Sequence, residues 1–420
     1  MIKVLKTLIL SLLASPMLFA QHSLDELINT ARIHHPQQAQ MALIKESTEL
    51  KLKEISGAYL PQSTLGGQAT WQSEVTSISI PLPGIDIQPP PQDQYKLTLD
   101  LQQNIWDGGL TAARKAQAKT DQVVQENSIA TELIKVEEQV SQLFFGAIIA
   151  DKQRTNANLL LDDLQARMKV VKAAVENGVA TRPSLLDLRA KELELRQKMA
   201  EIDQMKKSVM ESLSLLTGKT LDSNTPLSED VFTSGSEGEN NRPELAFLSA
   251  KQSSLLVGEQ LIKAKNAPKL ALFATGGYGR PGLNFLARDF SPYFIGGVSL
   301  KIPISHLYTG GQKTEIQQLQ VAQKQLDAQK EGFLLATEIQ KSKQENELER
   351  LRQLISGDDE LIDIREQLIR TAETQLDNGV ITSADYLVEL NKLDQARQNK
   401  AIHEVQLLQT RQNIRLLLGQ

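Results

Sequence analysis

The chain has 420 residues, of which 40% are apolar and only 4% aromatic, and its mean hydropathy is −0.28. With 51 acidic against 46 basic side chains it is mildly acidic, which gives no support to nucleic-acid binding, and so few aromatics argue against one large rounded core. It contains no cysteine, which excludes a disulfide scaffold, a thiolate metal site, a cysteine nucleophile and a lipidated N-terminal cysteine.

Residues 1–20 read as a secretory signal peptide. Lys3 and Lys6 precede an apolar run from Thr7 to Leu13, small residues follow, and cleavage is expected after Ala20. No later run is apolar for long enough to make a transmembrane helix. Ser23-Leu24-Asp25-Glu26 caps a first helix that pauses at His34-His35-Pro36 and resumes to about Tyr59, where Pro61 stops it. Residues 62–80 alternate instead, with Leu65, Gly67, Ala69 and Trp71 on one side, and predict a strand. A proline-rich loop spans 81–92, and a second strand is expected over 95–106, with Leu97, Leu99 and Leu101 set against Lys96, Thr98, Asp100 and Gln102. Trp106-Asp107-Gly108-Gly109 ends it.

From Leu110 to Glu176 neither a proline nor a turn cluster interrupts the helical pattern. Leu133, Val136, Val140, Leu143, Ala147, Ala150, Ala157, Leu161, Leu164, Met168, Val171 and Val175 follow a heptad rhythm broken only at Arg154, the pattern of a coiled-coil seam. Asn177-Gly178-Val179-Ala180-Thr181 then forms a bend: Asn-Gly ends one helix and Thr181 caps the next. Leu188, Leu195, Ile202, Val209 and Leu216 continue the seven-residue spacing, so the two helices are expected to pack antiparallel.

A polar linker over 219–241 separates this half from a second that repeats its plan. Arg242-Pro243 answers His35-Pro36, and Pro268 answers Pro61. Strands are expected over 269–279 and 294–305, the latter through Val298, Leu300, Ile302 and Ile304. Gly310-Gly311 answers Gly108-Gly109, a long helix follows from Gln312 to Asp377, and Asn378-Gly379-Val380-Ile381-Thr382 repeats the bend 201 residues after the first. The sequence therefore predicts a mainly α chain with a small β part, built as a duplicated helix-strand-strand-helix-helix unit over 21–218 and 242–420.

Strands of about ten residues with one apolar face suit a membrane β-barrel. Four per chain cannot close one, and open edges are not viable in lipid, so such a barrel requires an oligomer. The competing reading is a soluble periplasmic coiled-coil scaffold or adaptor. The duplicated plan, the signal peptide, Trp106-Asp107-Gly108-Gly109 and the twin Asn-Gly-Val-x-Thr bends resemble the TolC family of outer-membrane efflux proteins, over residues 22–419. The resemblance implies a homotrimer with a shared twelve-strand barrel in the outer membrane of a Gram-negative-type bacterium. A long α-helical tunnel continues it through the periplasm, docked on a periplasmic adaptor (membrane fusion) protein and an inner-membrane pump.

The resemblance also places the bends (Asn177, Gly178, Val179, Thr181; Asn378, Gly379, Val380, Thr382) at the adaptor-docking tip. The family's constriction acid falls on Asp385, while Ser184 holds the matching place in the first repeat, with Asp187 the nearest acid. Asp385 has a second reading, as a helix N-terminal acid favoured by the macrodipole. The family's second acid falls on Val388 and its basic gate residue on Ile381, so the usual gate lock is only partly present. Gly108, Gly109, Gly310 and Gly311 read as strand-to-helix turns. Trp71, Tyr278 and Trp106 suit either interfacial belts or packing at the barrel–helix junction. His22, His34, His35, His306 and His403 lack ligand spacing and no nucleophile–base pair emerges, so neither an enzyme nor a cofactor is expected.

Overall fold

The computed structural model describes residues 21–77, 89–229 and 240–420. The signal peptide, most of the proline-rich loop and the middle of the 219–241 linker lie outside the described residues. The elements are α1 (Leu24–His34), α2 (Pro36–Ser56) with a 3₁₀ turn at Gly57–Tyr59, β1 (Gln62–Trp71), β2 (Asp93–Trp106), α3 (Leu110–Glu176) and α4 (Arg182–Thr217). The second half adds α5 (Pro243–Lys265), β3 (Lys269–Arg280), β4 (Ser291–Lys301), α6 (Ser305–Thr309), α7 (Gly311–Asp377) and α8 (Ser383–Leu418).

Two strands differ from expectation. β1 ends at Trp71, well short of residue 80. β4 begins earlier, at Ser291, and ends at Lys301. The alternation of Ile302 and Ile304 therefore does not extend the strand: Pro303 has no N–H to give a ladder, and Ser305 opens the short helix α6.

The chain divides into two compact units, and these are not the two sequence repeats, since each draws on both. One unit comprises Met41–Ser128 and Glu244–Glu331 and holds the sheet. Its four strands are all antiparallel in the order β1-β2-β3-β4. The register is regular apart from a bulge at Asn104/Trp106, where β2 gives way to the turn.

The other unit comprises Met1–Gln40, Ile129–Pro243 and Gly332–Gln420 and is helical. The heptad positions make its core: Ala157, Leu160, Leu164 and Val171 of α3 pack with Leu188, Leu195 and Met199 of α4, Ile369 and Ala372 of α7, and Tyr386, Leu390 and Leu393 of α8. Each large side chain so buried contributes on the order of 1.5–3 kcal/mol. α1 supplies Leu24, Leu27, Ile28 and Ala31, all buried, and Phe144 and Phe145 of α3 are fully buried and meet edge to face at 5.6 Å. The helix ends reuse one device. Gly218 and Gly419 close α4 and α8 with positive φ, where a Cβ would run into His34 at the end of α1 in the first case and Asn241 just ahead of α5 in the second.

Candidate functional site

The sheet sorts its side chains by register. On one face lie the rows Leu65–Leu99–Gly276–Phe294, Gly67–Leu97–Tyr278–Pro292, Ser63–Leu101–Ala274–Gly296 and Gln103–Leu272–Val298. Among the described residues nothing covers this face: Leu65 is 72% exposed, Phe294 71%, Val298 63% and Leu300 61%. The opposite face carries Gln62, Thr64, Gln68, Lys96, Thr98, Asp100, Gln102 and Thr275, with Asp100 accepting hydrogen bonds from Thr275 Oγ1 at 2.5 Å and Thr98 Oγ1 at 3.0 Å. In a water-soluble sheet the apolar face would be the buried one; here, among the described residues, the apolar face is uncovered.

Aromatics bracket this face. Trp71, Tyr95, Tyr278 and Phe290 stand at its loop end, where Phe290 stacks on Tyr278 at 5.6 Å and the Arg280 guanidinium lies 5.5 Å over Tyr95 and ion-pairs with Asp93. Trp106 stands at its helix end, opposite Leu270. From Tyr95 to Trp106 the strand covers about 36 Å. At the roughly 40° tilt usual for barrel strands that is about 28 Å of height, close to the apolar band and twin aromatic girdles of an outer-membrane barrel. Trp71, Tyr278 and Trp106 are all exposed among the described residues.

Where β2 meets α3, Asp107 is buried and carries the turn. Its Oδ2 accepts from Thr111 N at 2.7 Å and Thr111 Oγ1 at 2.5 Å, and its Oδ1 from Tyr59 Oη at 2.9 Å and Gly109 N at 3.1 Å. Burial pushes this carboxyl up, but those four hydrogen bonds outweigh it and hold it below the ordinary aspartate value. Gly108 has positive φ, and a Cβ there would stand 2.3 Å from Ala267 Cβ, so glycine is required twice over. The second repeat turns differently: α6 intervenes, Gly310 takes positive φ, and Gly311 is already the first residue of α7. Gly311 is therefore a helix residue and not part of the turn. Asp107 is the structural residue that the sequence reading passed over; Asp followed by Gly-Gly just ahead of a helical run was the signal for an N-terminal cap.

Both bends close as Schellman motifs. Val179 N bonds Ala174 O and Val380 N bonds Gln375 O, each at 2.8 Å, while Gly178 and Gly379 take φ of 75° and 69°. Asn177 and Asn378 each turn their Nδ2 back to a carbonyl one turn earlier, at 2.9 and 2.8 Å. Val179 and Val380 project with exposures of 80% and 69%. The following caps are unequal. Thr382 and Asp385 form a complete capping box, in which Asp385 Oδ2 accepts from Thr382 N at 2.9 Å and Thr382 Oγ1 at 2.7 Å. Those hydrogen bonds hold its carboxyl below the ordinary range. In the first bend Thr181 only meets Ser184, Oγ to Oγ at 3.0 Å. Asp385 is thus a helix-capping acid whose Oδ1 makes no hydrogen bond among the described residues. Asp187 is exposed on α4.

Residues 27–219 match the family model described as outer membrane efflux protein. Over that stretch the chain is similar to the outer membrane efflux protein family. No curated protein matches it. Among solved structures it is similar to the outer membrane protein VceC from Vibrio cholerae, with 16% identity and a TM-score of 0.69 over 94% of this chain and 96% of that one. It is likewise similar to CusC, with 15% identity and a TM-score of 0.70 over 95% and 92%. The third is the open state of the Neisseria gonorrhoeae MtrE outer membrane channel, with 13% identity and a TM-score of 0.69 over 94% and 88%. At such identities the likeness establishes the fold, and it does so over both repeats. Among the described residues no helix is long and apolar enough to cross a membrane.

Proposed function

We propose that three copies of this chain form an exit duct in the outer membrane, coupled through a periplasmic adaptor to an inner-membrane pump for efflux or type I secretion. The observation that carries this is the sheet face that, among the described residues, is apolar, uncovered and ends in two unpaired edge strands, β1 and β4. Lipid tolerates the face but not the edges. With four strands per chain, three chains supply twelve, and β4 of one copy pairs with β1 of the next. Assembly is also supported by α7, which leaves Leu334, Leu335, Ile339, Leu361, Ile364 and Leu368 exposed in the single chain. A soluble scaffold or adaptor would have no use for such a sheet.

Within this duct the two Asn-Gly bends are the adaptor-docking elements, offering Val179 and Val380 on a backbone that is fixed before contact. The carboxylates of Asp385, one from each copy, with Asp187 beside them, form a cation-attracting constriction. Capping and constriction are compatible, because the cap occupies Oδ2 and leaves Oδ1 to face a cation. In planar lipid bilayers the purified protein should open discrete channels that trivalent cations block. Asp385→Asn, which keeps a capping side chain but no charge, should relieve that block. Unchanged block in the variant removes Asp385 from the constriction, and a wild type that opens no channel contradicts the duct itself.

A further inference from the structure

Lys269 and Lys301 stand directly opposite each other at the first rung of the β3–β4 ladder. The alternation that puts Thr275 beside Asp100 puts both lysines on the same polar face. Opposed residues of an antiparallel pair hold their Cβ atoms about 5 Å apart, and like charges so placed repel. Neither lysine makes a hydrogen bond or ion pair among the described residues. The next rows on that face, Asn104–Ala271–Ser299 and Gln102–Phe273–Gly297, carry no charge. The nearest acid on that face is Asp100, six residues along β3 by register, or about 20 Å away, well beyond the screening length of about 8 Å in physiological salt. Across the strands the polar face holds three lysines, Lys96, Lys269 and Lys301, against the single Asp100. The charged pair on the apolar face, Arg280 with Asp93, is neutral as a unit.

Resting on the exit-duct reading, which turns the polar face toward the lumen, we propose that the Lys269–Lys301 pairs of the copies form a cationic ring at the helix-proximal end of the barrel that binds anions and favours anionic cargo. Low-dielectric walls around a water-filled pore focus the field of such a ring. The groups it suits are carboxylates, phosphates and sulfonates, since an oxyanion between two opposed ammonium groups relieves their repulsion and accepts hydrogen bonds from both.

The test is the reversal potential of single channels under a KCl gradient, together with block by inorganic pyrophosphate, using the full-length assembled protein. Both are measured in an Asp187→Asn, Asp385→Asn background, so that the bend acids do not mask the ring. Lys269→Gln with Lys301→Gln should lower the chloride-to-potassium permeability ratio by roughly threefold or more and weaken pyrophosphate block, whereas Lys269→Arg with Lys301→Arg should keep both. Channels of normal conductance whose permeability ratio and block are the same with glutamine as with lysine would overturn the ring while leaving the duct intact. A wild type that forms no channels overturns the duct reading, and the ring falls with it.

Discussion

Thr382 and Asp385 lock the start of α8 through a reciprocal cap, and the first repeat has no counterpart, because Ser184 is too short to reach back to Thr181 N. The second hairpin therefore depends on one carboxylate in a way the first does not. Thr382→Ala should lower the stability of the α8 start by about 1 kcal/mol, seen as faster amide exchange over Ser383–Tyr386, with α4 unaffected; equal loosening of both helices would show that the cap is not local. The pH dependence follows from the depressed Asp385 value. Stabilisation by the ionised cap is complete above the ordinary aspartate value of 3.8 and is lost as pH falls through the lower folded value. One residue on, Tyr386 is buried against α3 with the Arg167 guanidinium 5.5 Å from its ring, and burial pushes its phenol up to about 12. Its stabilisation is present below the unfolded tyrosine value of 10.0 and is lost as pH rises toward 12. The bend acid and the bend tyrosine thus limit the α8 start at opposite ends of the pH scale.

At the scale of elements, the hairpins were legible because their signals are local and redundant. The heptad rhythm of α3, Asn-Gly at each end and a threonine after it all name the same bends, and the structure builds Schellman motifs there. Strand limits were less legible, because alternation alone does not say where a ladder stops; Pro303 ends β4 against the pattern of Ile302 and Ile304. The second strand-to-helix turn was misread for a related reason. Gly310 and Gly311 look like Gly108 and Gly109, but without an aspartate to cap the helix the chain inserts α6. The bends also give a direct check on docking. Gly178→Val with Gly379→Val places β-branched residues at positive φ, a strain of about 1–2 kcal/mol at each bend, which re-aims Val179 and Val380. Site-specific crosslinking to the periplasmic adaptor should be lost while the oligomer persists. Retained crosslinking would move the docking surface off the bends.

At the scale of the whole molecule, the chain is incomplete by itself. Among the described residues its apolar sheet face is uncovered, two strand edges are unpaired, and α7 carries an unmatched apolar stripe. These three facts have a common resolution in a closed ring of copies set in a bilayer. The requirement for an oligomer was legible from four alternating strands, whereas the split into two units was not, since its boundaries fall inside α3 and α7 and do not simply follow the repeats. The absence of native cysteine makes the ring directly testable. Cysteines placed at Ser63 or Gly67 of β1 and at Gly296, Val298 or Leu300 of β4 should, in isolated outer membranes under oxidation, link one copy to the next. Some pairing among these positions should yield a covalent trimer on a denaturing gel, with no larger species. Only uncrosslinked monomer from every pairing, or a ladder extending past three copies, would contradict the closed three-chain barrel.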